Sequence, residues 1–130
     1  MDVSIIIVNY NTKQLLADCL ATVFKKTKDV VFEVIVIDNA STDGSEEYIK
    51  ECYPNVKWIN SGDNIGFGRA NNVGVKNAAG KYIFFLNSDT LLLNNAIRLF
   101  FDYAESHQQD KIGVLGSWLL NKKEMPNNSF

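Results

Sequence analysis

The sequence predicts an α/β fold, in which an open, mainly parallel β-sheet carries helices on both faces. Continuous apolar, β-branched segments alternate along the chain with segments of helical period. Strands without apolar–polar alternation are those buried on both faces, as in a parallel sheet. The 130 residues are 46% hydrophobic and 22% charged, which is typical of a globular chain and predicts one domain.

Three segments have the composition of central strands, and two shorter segments are weaker strand candidates. The central strands are predicted over residues 3–8, 32–37 and 81–86, and the weaker ones over 56–59 and 112–115.

The segments between these strands have a helical period. Two apolar stripes mark the first two helices: Leu15, Leu16, Cys19, Leu20, Val23 and Phe24, then Tyr48, Ile49 and Cys52. Further helices are predicted over residues 67–78 and 95–106. The patterns Asn11-x-x-Gln14 and Asp43-x-x-Glu46 resemble capping boxes at the starts of the first two helices.

Charge and cysteine content exclude several classes of function. The chain has 13 Lys+Arg against 15 Asp+Glu, with no run of like charges, so nucleic acid is not an expected partner. Cys19 and Cys52 lie on predicted apolar helix faces, which indicates reduced core residues of a cytoplasmic protein. No apolar run approaches the roughly 20 residues that span a bilayer, so membrane association would be peripheral or through segments outside this chain.

Polar clusters follow three of the predicted strands, where an open parallel sheet binds its ligands. They are Asn9-Tyr10-Asn11, the segment DNASTDGS that begins at Asp38, and Asn87-Ser88-Asp89-Thr90. A tyrosine can stack on a base, amides and carboxylates can bind the base edge, and an aspartate can hold a divalent cation beside a diphosphate. Together the clusters predict a nucleoside-diphosphate pocket.

Each cluster alone also has a structural interpretation. Tyr10 can be a half-buried residue next to a helix cap, and DNASTDGS can be a capping loop. Asp89 can be the N-cap of the following turn, but a carboxylate so soon after five predominantly apolar residues is costly unless something pairs with it.

Two other features of the sequence are weaker indications of function. The segment NIGFGRANN, residues 64–72, matches neither of the phosphate-loop patterns G-x-G-x-x-G and G-x-x-x-x-G-K-[ST]. Its Arg69 could still reach a phosphate or a base, or could simply be solvated. His107 is the only histidine and lies in a polar helix end, so neither a zinc site nor a Cys–His nucleophile is expected.

Four motifs in this order resemble the inverting nucleotide-sugar glycosyltransferases of family 2, which have the GT-A fold: VSIIIVNYN, VIVIDNASTDGS, NIGFGRANN and YIFFLNSD. The pair NIGFGRANN and FLNSD most resembles a bacterial branch that includes rhamnosyltransferases of surface-polysaccharide assembly. The resemblance assigns residues 1–120 to the nucleotide-sugar-binding part of a GT-A domain. Residues 121–130 would be a loop or the start of the acceptor-binding half.

The resemblance implies nucleotide-binding roles for several residues. Asn9 and Tyr10 would lie at the base, with the Tyr10 ring stacked near it. Asp38 or Asn39 would contact the base edge, and Arg69 would lie near the nucleotide.

The resemblance also implies a metal site. Asp89 would bind Mg²⁺ or Mn²⁺ bridging the donor diphosphate. The family's usual Asp-x-Asp reads Asn87-Ser88-Asp89 here, so the first carboxylate is an amide, which can still contact ribose but should weaken metal binding. The general base that an inverting transferase needs would lie downstream of Phe130.

These expectations describe the donor-binding half of a transferase that uses a UDP- or dTDP-sugar and a glycan or lipid-linked acceptor. We expect it in the cytoplasm or at the inner face of the membrane, and truncated so that it cannot complete turnover alone. The alternative is a non-catalytic nucleotide-sugar-binding or regulatory module. A nucleotidyltransferase would need a glycine-rich loop after the first strand, and NYNTK has no glycine.

Overall fold

The computed structural model describes residues 1–117 and 119–120, and these form an α/β fold. Its four-stranded sheet is parallel throughout, in the order β3-β2-β1-β4. The strands are β1 (Val3–Asn9), β2 (Phe32–Asp38), β3 (Lys57–Asn60) and β4 (Tyr82–Phe85). Because β2 and β4 lie on opposite sides of β1, the strand order reverses at β1. This is where an open parallel sheet leaves a crevice at the carboxyl ends of its strands.

Helices cover both faces of the sheet, as the sequence predicts. They are α1 (Lys13–Lys26), α2 (Ser45–Cys52), α3 (Phe67–Lys76) and α4 (Ala96–Ser106), followed by a short 3-10 turn, Gln108–Asp110. Ile5 and Ile7 of β1 belong to a core that includes Leu16 and Leu20 of α1. Ile6 points to the other face and packs in a second core with Ala70 of α3. Alternate side chains of β1 therefore pack into two separate cores, one on each face of the sheet.

Helix α3 lies unusually close to the sheet. A Cβ added at Gly74 would lie 2.5 Å from Cγ2 of Ile6, so only glycine fits at this position. The start of α3 lies at the carboxyl end of β2, where the Asn39 amide donates to the Gly66 carbonyl at 3.3 Å.

Two sequence predictions about secondary structure and burial are wrong. Residues 112–115 form no strand, and Val114 is 90% exposed, because no described strand pairs with them. Cys52 is exposed, since it is the last residue of the short helix α2, whose packing is carried by the buried Ile49. Cys19 is buried as predicted.

No helix within residues 1–117 and 119–120 is long and apolar enough to cross a membrane. The predicted loop at 121–130 lies outside the described residues, so the domain limit near residue 120 stays a prediction.

Candidate functional site

The carboxyl ends of β1, β2 and β4 border a cleft of about 410 Å³. Four of the sequence-predicted site residues line it: Tyr10, Asn39, Asn87 and Asp89. They come from three different loops, so the order of the strands, and not proximity in sequence, brings them together.

Part of the cleft's lining is aromatic and apolar. Tyr10, Leu15 and Phe67 all line it, and each leaves about half of its side chain exposed: 51%, 48% and 59%. Large apolar side chains grouped around a concave surface are a common feature of ligand sites. Phe67 was not among the predicted site residues. The only sequence signal for Phe67 was its position inside NIGFGRANN. In the structure it directly follows Gly66, which has a positive φ of 84° and is the last residue before α3.

Asn9 and Asp38 lie behind the cleft and are almost fully buried, with 0% and 4% of their surface exposed. The Asn9 amide donates to Asp38 Oδ1 at 2.8 Å. Ser41 donates to the same carboxylate twice, from its backbone N–H to Oδ2 at 2.9 Å and from its hydroxyl to Oδ1 at 2.6 Å. Because a buried carboxylate without partners is costly, these hydrogen bonds keep Asp38 in place and hold the loop after β2 against β1.

Asn39 joins three elements at the edge of the cleft. Its amide donates to the backbone carbonyl of Gly66 at 3.3 Å, at the start of α3. Its side-chain oxygen lies 3.1 Å from the hydroxyl of Ser61, which follows β3. Asn39 is only 3% exposed, so the part of it that reaches the cleft is small and fixed.

The loops after β1 and β2 are tied to each other. The backbone N–H of Asn11 donates to the Ser41 hydroxyl at 2.9 Å, and the backbone N–H of Thr42 donates to Asn11 Oδ1 at 2.8 Å. Asn11 has a positive φ of 51°, a conformation that asparagine tolerates better than most residues. Its side chain therefore binds the neighbouring loop and does not form the predicted capping box with Gln14.

Asp43 serves two helices instead of forming a capping box with Glu46. It accepts a hydrogen bond from the backbone N–H of Lys13, the first residue of α1, at 2.9 Å. It also accepts one from the backbone N–H of Ser45, the first residue of α2, at 3.0 Å, and another from the Ser45 hydroxyl. Partial burial raises the pKa of the Asp43 carboxyl, but these hydrogen bonds outweigh it and leave the pKa below its usual value.

The loop after β4 carries Asn87, Ser88 and Asp89 along the cleft. Asn87 and Asp89 are exposed, whereas Ser88 is half-buried and lies 3.1 Å from the hydroxyl of Thr12. Beneath the loop, the Cys19 thiol donates to the backbone carbonyl of Asn87 at 3.7 Å. Burial, and secondarily the charge of Asp89, raises the pKa of Cys19 to about 12, so this cysteine stays a neutral thiol that can support the loop.

The donor atoms in the cleft suit a hard cation only in part. Mg²⁺ and Mn²⁺ prefer oxygen ligands, which Asp89 and the Asn87 amide can offer. Within the described part of the chain, Asp89 is the only carboxylate lining the cleft, and no group of three or more His, Cys, Asp or Glu side chains could hold a metal ion. A cation here would need most of its ligands from a bound phosphate group and from water.

Two further residues lie apart from the cleft's lining. Arg69 is exposed on the first turn of α3 and does not line the cleft. His107 lies at the end of α4, with its ring stacked on Tyr103 at 3.9 Å between centroids.

The chain is similar to known sugar-transferring proteins. A poly(ribitol-phosphate) beta-glucosyltransferase from Bacillus spizizenii is 31% identical over 139 residues, an alignment that covers 100% of this chain and 21% of that protein. The crystal structure of S. aureus TarS 1-349 in complex with UDP has a TM-score of 0.73 and 26% identity, covering 83% of this chain and 33% of that one. The chain therefore spans only a fraction of the length of these relatives.

A more distant structure shows the same fold. The mannosyltransferase PcManGT from Pyrobaculum calidifontis, in complex with GDP-Man and Mn²⁺, has a TM-score of 0.69 and 21% identity, covering 94% of this chain and 36% of that one. These structural neighbours are GT-A glycosyltransferases, which confirms the GT-A-like fold. Residues 4–126 match the family described as "Glycosyl transferase family 2". Because this match extends over nearly the whole sequence, the chain belongs to glycosyl transferase family 2.

Proposed function

We propose that the chain is the donor-binding part of an inverting glycosyltransferase that takes a hexosyl or deoxyhexosyl group from a nucleoside-diphosphate sugar. The observation that carries this proposal is that Tyr10 and Asp89 line the same cleft. An aromatic ring suits a flat base, and a carboxylate suits the cation that accompanies a diphosphate. A cleft of about 410 Å³ is large enough to enclose much of such a ligand.

At one end of the cleft, Tyr10 stacks on the base and Asn39 faces the base edge. Asn9 and Asp38 act behind them, because their polar atoms bind each other and Ser41 and so fix the loops that present Tyr10. Arg69 lies on the exposed first turn of α3, from which its long side chain reaches toward the nucleotide.

At the other end, Asp89 holds Mg²⁺ or Mn²⁺, and Asn87 contacts the ribose. The cation would supply Lewis-acid stabilisation of the leaving nucleoside diphosphate. Since Asn87 brings no charge, the protein contributes one negative charge to the metal, and we expect cation affinity to depend strongly on bound diphosphate.

The general base, and with it the acceptor site, would lie outside residues 1–117 and 119–120. Asp89 is the only carboxylate lining the cleft in the described part of the chain, and it cannot both hold the metal and deprotonate an acceptor hydroxyl. The described residues should therefore bind donor without completing transfer by themselves.

The similarity to a poly(ribitol-phosphate) beta-glucosyltransferase supports a glycan or lipid-linked acceptor in bacterial surface-polymer synthesis. The reaction would then take place on the cytoplasmic side, at the inner face of the membrane. The UDP complex of S. aureus TarS favours a UDP-sugar. The rhamnosyltransferase-like alternative would use a dTDP-sugar, so the base preference separates the two.

Calorimetric titration of UDP, dTDP and GDP, each with and without Mn²⁺, tests the proposal. The wild type should bind at least one of them more tightly with Mn²⁺, and Asp89→Ala should lose that gain. Asp18→Ala, at an exposed aspartate of α1 that does not line the cleft, is the matched control and should behave as the wild type. Circular dichroism first establishes that each variant is folded. A folded wild type that binds none of the three ligands would contradict the proposed function.

A further inference from the structure

Thr12 occupies the N-cap position of α1 but does not cap the helix. A threonine at this position usually accepts a hydrogen bond from the first turn of its own helix. Here its side chain makes no such bond, and the N–H of Lys13 is bound by Asp43 instead. The Thr12 hydroxyl is therefore available for contacts across the cleft, which it also lines.

The direction of these contacts follows from hydrogen-bond chemistry. The Thr12 hydroxyl lies 2.7 Å from Asn9 Oδ1 and 3.1 Å from the Ser88 hydroxyl. Asn9 Oδ1 can only accept, so Thr12 donates its single proton there and accepts the proton of Ser88. The Asn9 amide in turn donates to Asp38 at 2.8 Å.

The result is a continuous series of hydrogen bonds, Ser88 to Thr12 to Asn9 to Asp38, which crosses from the loop after β4 to the loop after β2. Within residues 1–117 and 119–120, Ser88 to Thr12 is the only side-chain to side-chain hydrogen bond made by the loop that carries Asn87 and Asp89. Helix α1 also binds this loop in two other places, through the long contact of the Cys19 thiol with the Asn87 carbonyl and through the Leu92 N–H, which donates to the Thr22 hydroxyl at 2.9 Å. Among the described side chains, Thr12 is thus the polar link between the loop that carries Tyr10 and the Asn87–Asp89 part of the cleft.

We propose that Thr12 is a positioning residue, which fixes the distance between the part of the cleft lined by Tyr10 and the part lined by Asp89. A ligand long enough to occupy both parts then binds better, so the cleft favours a nucleoside diphosphate over a nucleoside monophosphate. This inference rests on the proposed function. A ligand that is held at both ends gains from a preset separation because less freedom is lost on binding. A monophosphate occupies the base end and does not need the link.

Thr12→Val tests the inference, because valine keeps the shape and removes the hydroxyl. With Mn²⁺ present, we expect about a tenfold loss of affinity for UDP, because one hydrogen bond that positions the ligand site is lost. The affinity for UMP should change less than about twofold. Calorimetry measures UDP, and NMR titration measures the weaker UMP. Thr12→Ser keeps the hydroxyl and should restore the wild-type ratio of the two affinities.

Two further variants separate positioning from general damage. Thr42→Val, on the exposed neighbouring loop, removes a hydroxyl with no hydrogen bond among the described residues and should change neither affinity. Ser88→Ala breaks the same link from the other side, and the double variant with Thr12→Val should be no weaker than either single variant. If Thr12→Val does not fold, Ser88→Ala carries the test alone.

The outcomes distinguish this inference from the function on which it rests. Loss of UDP affinity with UMP affinity preserved supports it. A wild type that binds UDP, together with variants that lose UDP and UMP equally or lose neither, overturns the inference and leaves the proposed function standing. A folded wild type that binds no nucleoside diphosphate overturns both.

Discussion

Asp43 Oδ2 lies 2.9 Å from the backbone nitrogen of Lys13, so a carboxylate from the loop after β2 caps the helix that follows β1. The same side chain binds the first residue of α2, Ser45. Helices α1 and α2 thus share one cap. The shared cap joins the loop after β1, which carries Tyr10, to the loop after β2. Because Asp43 does not line the cleft, substituting it tests the stability of these loops without removing a lining residue.

Asp43→Ala should lower the free energy of unfolding by about 1 to 3 kcal/mol, because it leaves helix N–H groups of both α1 and α2 without an acceptor. Urea denaturation followed by circular dichroism measures this. Asp43→Asn retains one acceptor oxygen and should lose less. Equal losses for the two variants would show that the shared cap contributes little beyond the charge.

The Glu33 carboxylate should make stability depend on acid pH. Its burial raises the pKa, but hydrogen bonds from the Ser4 hydroxyl at 2.5 Å and the Ala79 N–H at 2.7 Å, with the charge of Lys57, leave the pKa below its usual value. A folded-state pKa below the unfolded value gives stability that is complete above the unfolded pKa and is lost as pH falls through the folded one.

Glu33→Gln should therefore reduce the difference in unfolding free energy between pH 7 and pH 3. The measurement is urea denaturation at both pH values. Glu51→Gln, at an exposed glutamate without a hydrogen bond among the described residues, is the control and should keep the wild-type difference. If both variants keep it, the Glu33 hydrogen bonds do not contribute to the pH dependence.

Gly74→Ala should destabilise the protein, because the added Cβ would lie 2.5 Å from Cγ2 of Ile6 and force α3 away from the sheet. Overpacking of this kind costs about 1 to 3 kcal/mol. Gly68→Ala is a matched control in the same helix, since a Cβ there meets nothing within 4 Å. That substitution should be neutral or stabilising by up to about 1 kcal/mol, because alanine favours helix more than glycine does. The thermal denaturation midpoint should fall for Gly74→Ala and stay level or rise for Gly68→Ala, and a similar fall for both would contradict the close approach of α3.

The two cysteines should differ in reactivity toward a thiol reagent. Cys52 is exposed, whereas Cys19 is buried and its pKa is raised to about 12. At pH 8, Ellman's reagent should modify one thiol of the native wild type quickly and the second only after unfolding in guanidinium. Cys52→Ser should remove the fast phase. A fast phase that persists in this variant would place Cys19 at the surface.

The sequence alone predicts the parts of this protein that depend on local pattern. The long apolar runs locate β1 and β2 to within a residue, and their parallel pairing brings Asn9 and Asp38 to one edge of the sheet. What it does not predict depends on contacts between loops. Asn11 and Asp43 match the pattern of local helix caps. In the structure, however, Asn11 accepts a hydrogen bond from Thr42 in the loop after β2, and Asp43 accepts one from Lys13 after β1. The hydrophobic periodicity of the sequence does not predict these contacts between loops.

The same limit applies to Thr12 and Phe67. Thr12 looks like an ordinary helix start until the contact with Ser88, 76 positions away along the chain, is known. Phe67 is the first residue of a predicted helix, and nothing in the local pattern indicates that it lines the cleft.

Tyr10→Ala should weaken UDP binding by about 5- to 150-fold, because stacking an aromatic side chain on a base contributes about 1 to 3 kcal/mol. Tyr10→Phe retains the ring and should stay within about threefold of the wild type, since the stacking surface is nearly unchanged. Pyrophosphate with Mn²⁺ has no base, so its calorimetric affinity should be the same for all three proteins. If Tyr10→Ala weakened UDP and pyrophosphate alike, the tyrosine would act on the phosphate end or on the fold of the loop, and the orientation of the nucleotide in the cleft would have to be reversed.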